Sequence, residues 1–116
     1  MVRIIFSGHL TDGDLATVAE SLAEIEAAAE VSPDRLSDLT DVTSIALNFV
    51  AMELFAAKRR AAVLRNPVRS ALVAPTQLQY GFARMFQTLN DHPEIEIQLF
   101  RDMDSGLHWI TSPKGK

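Results

Sequence analysis

In the run Ser70-Ala71-Leu72-Val73-Ala74-Pro75-Thr76-Gln77-Leu78-Gln79, a strand and a helix meet across a single proline. Residues 70–74 carry no charge and no large polar side chain, which is the composition of a strand covered on both faces. Pro75 closes it. Thr76 and Gln79 then stand in capping-box spacing, and Leu78, Phe82, Met85, Phe86 and Leu89 fall on one helical face up to about Asn90. A buried strand feeding directly into an amphipathic helix is the repeating piece of an α/β layer structure.

Working outward, the same alternation recurs on both sides. Upstream, residues 45–63 form a second helix, capped by Thr43 or Ser44. Its first half (Ile45, Leu47, Phe49, Val50, Met52, Leu54, Phe55) is apolar on nearly every face, and its end is basic at Lys58-Arg59-Arg60. Asn66-Pro67 ends it. Before it, Arg35 to Thr40 reads as a short strand set off by Ser32-Pro33-Asp34. The first helix covers residues 11–30: Thr11 and Asp14 supply a capping box, and Leu15, Val18, Leu22 and Ile25 recur at helical spacing among Glu20, Glu24 and Glu26. Val2 to Ser7 is a β-branched and aromatic strand ended by Gly8.

Downstream, Asp91-His92-Pro93 leaves the third helix, and Glu94 to Arg101 alternates with a strict period of two. A last short helix, capped by Asp104 or Ser105, is anchored by Leu107, Trp109 and Ile110. The single domain is expected to span residues 1–112, with 113–116 a polar tail.

The order β-α-β-α-β-α-β-α predicts a mainly parallel four-stranded sheet with right-handed crossovers and four helices. The strands at Val2–Ser7 and Arg69–Ala74 are the more apolar and so are expected inside the sheet. Those at Arg35–Thr40 and Glu94–Arg101 are expected at its edges, giving the order 2-1-3-4. That order has a switch point between the first and third strands, which places an expected ligand near Gly8-His9 and Pro75-Thr76.

Composition narrows the chemistry. The 116 residues contain no cysteine, which excludes disulfides, thiolate metal ligands and a cysteine nucleophile. The net charge of −4 has the wrong sign for nucleic-acid binding through overall charge. It is unevenly spread: residues 1–41 sum to −7 and residues 42–69, with Lys58, Arg59, Arg60, Arg65 and Arg69, to +4. The longest strongly apolar stretch without charge, Val42 to Met52, is far shorter than the roughly 20 residues of a membrane span. The N-terminus does not read as a signal peptide, so a cytoplasmic location is expected, with the inner membrane surface as a peripheral site.

Two segments carry a family resemblance. Asp38-Leu39-Thr40-Asp41-Val42-Thr43-Ser44-Ile45 and Gln79-Tyr80-Gly81-Phe82-Ala83-Arg84-Met85-Phe86, together with Phe100-Arg101-Asp102 and Trp109, resemble the SpoIIAA-like group of STAS-related bacterial proteins. The resemblance covers most of the chain. It implies a small STAS-like fold without established enzymatic activity, related in shape to anti-sigma factor antagonists and to CRAL-TRIO-type binders of apolar ligands. Anti-sigma antagonists present a phosphorylatable serine at a helix start. Here Leu47 or Asn48 stands in that place, so the switch is not carried over. Related chains also usually begin with one more strand, whose lack would leave a sheet edge open to homodimer formation.

Candidate chemistry is sparse. Gly8-His9 and Asp38 are the pair to consider for a general base with an orienting carboxylate, but no G-x-S-x-G turn and no phosphate loop accompanies them. His92 and His108 have no ligand-spaced partners, so no metal or other cofactor is expected. What stands out is the surplus of Phe49, Met52, Phe55, Tyr80, Phe82, Met85 and Phe86 on the second and third helices. The expectation is a non-enzymatic module that holds an apolar or lipid-like ligand through Phe49, Met52, Phe55, Tyr80, Phe82 and Phe86. Lys58, Arg59 and Arg60 would then face anionic head groups in peripheral membrane contact. The alternative is a regulatory protein-interaction module.

Overall fold

A computed structural model describes residues 1–90 and 92–113. Asp91, expected at the exit of the third helix, and residues 114–116 of the expected tail lie outside them. The chain alternates β1 (Val2–Thr11), α1 (Asp12–Ala28), β2 (Arg35–Ala46), α2 (Phe49–Arg60), β3 (Val68–Val73), α3 (Gln77–Leu89), β4 (Ile95–Phe100) and α4 (Met103–Thr111). All eight expected elements are present in the expected sequence, and all three strand pairings are parallel.

The strand order is 1-2-3-4, not 2-1-3-4. Strands β1 and β4 are the edges and β2 lies inside. Residue polarity misleads here because the polar side chains that open β2 are buried rather than wet: Arg35 and Ser37 are 4% and 8% exposed, and only from Thr40 on does the strand turn polar groups to water. Conversely, the apolar β1 leaves Ile5 63% exposed at the edge. In an order that always steps the same way, right-handed crossovers put every connecting helix on one face. Leu15 and Ala19 of α1, Met52 and Phe55 of α2, and Phe82 and Ala83 of α3 accordingly share one core with Leu39, Val42, Leu72 and Ala74. Among the described residues helix α4 alone covers the other face, where Ile110 packs on Leu36, Ala71 and Val73. The order contains no switch point, so that ground for a ligand beside Gly8-His9 and Pro75-Thr76 falls away.

Several boundaries also differ. Strand β1 does not end at Gly8 but runs through it to Thr11. Val42-Thr43-Ser44-Ile45 continues β2 instead of opening a helix, as its β-branched residues favour. Helix α2 starts only at Phe49, capped by Asn48, whose side chain accepts from Ala51 N–H at 2.7 Å. Helix α4 is capped by Asp102 rather than Asp104 or Ser105. The Ser105 backbone N–H and hydroxyl both donate to the Asp102 carboxylate and hold its pKa below the ordinary range.

The two expected capping boxes form, at Thr11/Asp14 and Thr76/Gln79. Gln79 does more. Strand β3 pairs with β2 only as far as Asp38↔Val73, whereas β1 and β2 run on together to Thr11↔Ala46. The buried Gln79 amide fills part of the missing strand, donating to the carbonyls of Thr40 (3.1 Å) and Val42 (2.9 Å). In the same ribbon the register slips at Gly8, whose φ of 68° lies in the left-handed region that glycine adopts without strain.

Candidate functional site

The space between the sheet and helices α1–α3 is polar at one end and apolar elsewhere. On α1, Leu15, Ala19, Leu22 and Glu26 form the buried stripe; Glu26 takes the next helical step after Leu22, while Ile25 turns outward. On α2 the stripe is Met52, Phe55, Ala56 and Arg59. Helix and strand geometry thus bring Glu26, Arg59 and Arg35 together inside the fold, each under a tenth exposed.

Arg59 grips Glu26 with both terminal nitrogens, Nη2 to Oε2 at 2.5 Å and Nη1 to Oε1 at 3.2 Å. Arg35 Nη1 donates to the same Oε2 at 3.0 Å. Burial pushes the Glu26 carboxyl up, but the hydrogen bonds and charge of Arg59, joined by Arg35, outweigh it and hold the group below the ordinary carboxylate range. Burial and the neighbouring Arg59 charge lower the Arg35 pKa, against the pull of Glu26.

Beside this group lies a cavity of about 40 Å³. Its apolar walls include Phe6, Leu22, Leu39, Leu72, Phe82 and Phe86, and its polar lining is Arg35, Ser37, Arg59, Ser70 and Asn90. A groove of about 720 Å³ opens outside, between α1 and α2, over Ala19, Ala23, Ala27 and Ala62. Arg59 lines both spaces, so the Glu26–Arg59 pair stands between them.

Of the residues expected to line a ligand site, Phe55, Phe82 and Phe86 line the cavity. Phe49 does not: it is 59% exposed at the start of α2, beside the equally open Val50 and Leu54. Met52 is core, and Tyr80 lies under the Arg101 guanidinium, 3.9 Å from ring centroid to Cζ. The basic cluster divides. Arg59 is buried in the ion group and is not a surface residue, so only Lys58 and Arg60 remain outside, and Arg60 donates to the Leu89 carbonyl. Arg69 is used locally as well, lying 5.1 Å from the Trp109 ring centroid and donating to the Trp109 and Ser112 carbonyls at the end of α4.

His9 and Asp38 are not brought together. His9 pairs in register with Ser44 and Asp38 with Ile5, four positions and about 13 Å apart along β1. His9 Nδ1 instead lies 2.5 Å from Ser44 Oγ, and Asp38 accepts from the Thr40 N–H. His92 is buried between the Ala62 carbonyl and the Glu94 N–H. Among the described residues no group of His, Asp and Glu is placed to hold a metal ion, and no helix is long and apolar enough to cross a membrane.

No protein-family model and no curated protein matches the sequence. Among solved structures, an uncharacterized protein of the DUF3478 family with a SpoIIAA-like fold, from Shewanella loihica PV-4, superposes with a TM-score of 0.59 at 20% identity. The match covers 93% of this chain and 82% of that one. The chain has a SpoIIAA-like fold. Of the two residues the resemblance puts in place of a phosphorylatable serine, Leu47 or Asn48, Asn48 is spent on capping α2.

Proposed function

We propose that the protein is a STAS-like binding module without catalytic chemistry, which holds an apolar or lipid-like molecule between its sheet and helices α1–α3. The observation that carries this reading is the cavity walled by Phe55, Phe82 and Phe86, lying just inside the α1–α2 groove. At about 40 Å³ the space holds roughly three waters, so a larger guest enters by parting the helices at the Glu26–Arg59 pair. Native mass spectrometry and solvent extraction of the purified protein test it. A co-purifying apolar molecule is the expected result, and a ligand-free protein that takes up no long-chain probe sinks the proposal.

A second reading rests on a different observation. Phe49, Val50 and Leu54 are exposed together on α2, with Lys58 and Arg60 toward its end. That surface suits peripheral docking on an anionic bilayer. Flotation with anionic vesicles at low salt should carry the protein, and Val50→Asp with Leu54→Asp should abolish it. A stoichiometric protein partner recovered instead would favour a regulatory interaction module.

A further inference from the structure

Two guanidinium groups share one carboxylate in the buried ion group, so Arg35, Arg59 and Glu26 together carry one net positive charge. Asp34 also acts on Arg35, but it is only partly buried and takes the Arg69 N–H. Two polar atoms inside the fold have no hydrogen-bond partner among the described residues, Arg35 Nε and Asn90 Oδ1, and both residues line the cavity. A buried donor on a cation is strongly disfavoured without an acceptor. The cavity is thus cationic and donor-rich at one end, with Ser37 and Ser70 hydroxyls beside Arg35, and walled by Leu39, Phe82 and Phe86 at the other.

We infer that this cavity binds a carboxylate, with Arg35 Nε as its principal donor and Ser37, Ser70 and Arg59 around it. The inference rests on the binding-module reading and names the head group of its ligand. The carboxylate head group alone fits the space of about 40 Å³; the rest of a longer ligand occupies room opened by parting the helices. The Asn90 amide serves such a ligand by turning over, so that Nδ2 donates where Oδ1 now stands unpaired. The apolar walls place the remainder of the molecule on the side away from Arg35. The same recognition serves a short free acid or the carboxyl end of a fatty acyl chain.

Calorimetric titration of the full chain with acetate, octanoate and 1-octanol at fixed ionic strength separates these cases. Octanoate is expected to bind at least about tenfold more tightly than 1-octanol, the difference a charge-assisted hydrogen bond makes. Octanoate should also weaken about tenfold in Arg35→Lys, which keeps the charge and loses the Nε donor, with 1-octanol unchanged. Equal binding of octanoate and 1-octanol overturns the carboxylate inference and leaves the apolar-ligand reading standing. Acetate binding as tightly as octanoate upholds the carboxylate site and overturns the apolar-ligand reading. Binding of none of the three overturns both. If Arg35→Lys fails to fold, the head-group comparison on the unaltered protein decides alone.

Discussion

Glu26 sits where an amphipathic helix would ordinarily place a leucine, and its neutralisation by Arg59 and Arg35 is what makes that position tolerable. Replacing it with glutamine leaves two buried guanidinium groups without their counter-charge, and loss of about 3–5 kcal/mol is expected in urea unfolding. The same group sets an acid limb. Its folded-state pKa is lower than the unfolded value, so its contribution is fully present above the ordinary carboxylate range and is lost as pH falls through the lower folded value. Stability of the unaltered protein should therefore drop as pH falls below about 4.3; a Glu26→Gln protein with an equally steep acid limb would contradict this. Gln79 makes a parallel case with a neutral group. Gln79→Ala strips the Thr40 and Val42 carbonyls of their donor, and a loss of about 1–3 kcal/mol is expected from thermal unfolding. Both residues were visible in the sequence, Gln79 as a capping residue and Glu26 as one acid among several. What the chain order hides is that Arg35 and Arg59, nine and thirty-three positions away, close on Glu26.

At the scale of elements, periodicity locates all eight segments, and the capping boxes at Thr11/Asp14 and Thr76/Gln79 fix the starts of α1 and α3, whereas the caps of α2 and α4 prove to be Asn48 and Asp102. The failure at Val42–Leu47 has a local cause. An uncharged run free of Gly and Pro, whose Thr43-Ser44 can either cap a helix or continue a strand, suits a buried helix and a strand end equally, and only pairing with Ser7–Thr11 of β1 settles it for the strand. The most apolar half of the expected second helix was therefore partly strand, and the helix that forms is shorter, with Phe49, Val50 and Leu54 outward. Helix α4 shows a closer fit. Gly106 is buried at its contact with the sheet, where an added Cβ would stand 3.0 Å from Val73 Cγ2. Gly106→Val forces that contact apart. A loss of about 1–3 kcal/mol is expected, with near-ultraviolet circular dichroism of Trp109 reporting the disturbed docking; unchanged stability and spectrum would mean that α4 does not rest on this contact.

For the whole molecule, the order of strands turns on which strand is polar for what reason. Polarity marks an edge only when the polar groups meet water, and at the start of β2 Arg35 and Ser37 meet a cavity and an ion group instead. That is also why the candidate site was half legible: its aromatic walls stood out as a surplus, while its polar end was mistaken for a strand edge and a surface cluster. The 1-2-3-4 topology makes a prediction of its own about how stability is distributed. Residues 35–38 and 70–73 pair at the middle of the sheet, under helices on both faces. Beyond them, Gly8–Thr11 and Thr43–Ala46 continue as a ribbon of two strands. Native-state hydrogen exchange should find the amides of Leu36, Ser37, Ala71 and Leu72 opening only with global unfolding, and those of Thr43 to Ala46 opening at a lower free energy in a separate step. The Gln79 anchor should hold Thr40 to Val42 with the first group, so Gln79→Ala is expected to transfer them to the second. Uniform protection along β2, before and after that substitution, would mean that the ribbon is held by something other than its strand partner and the Gln79 amide.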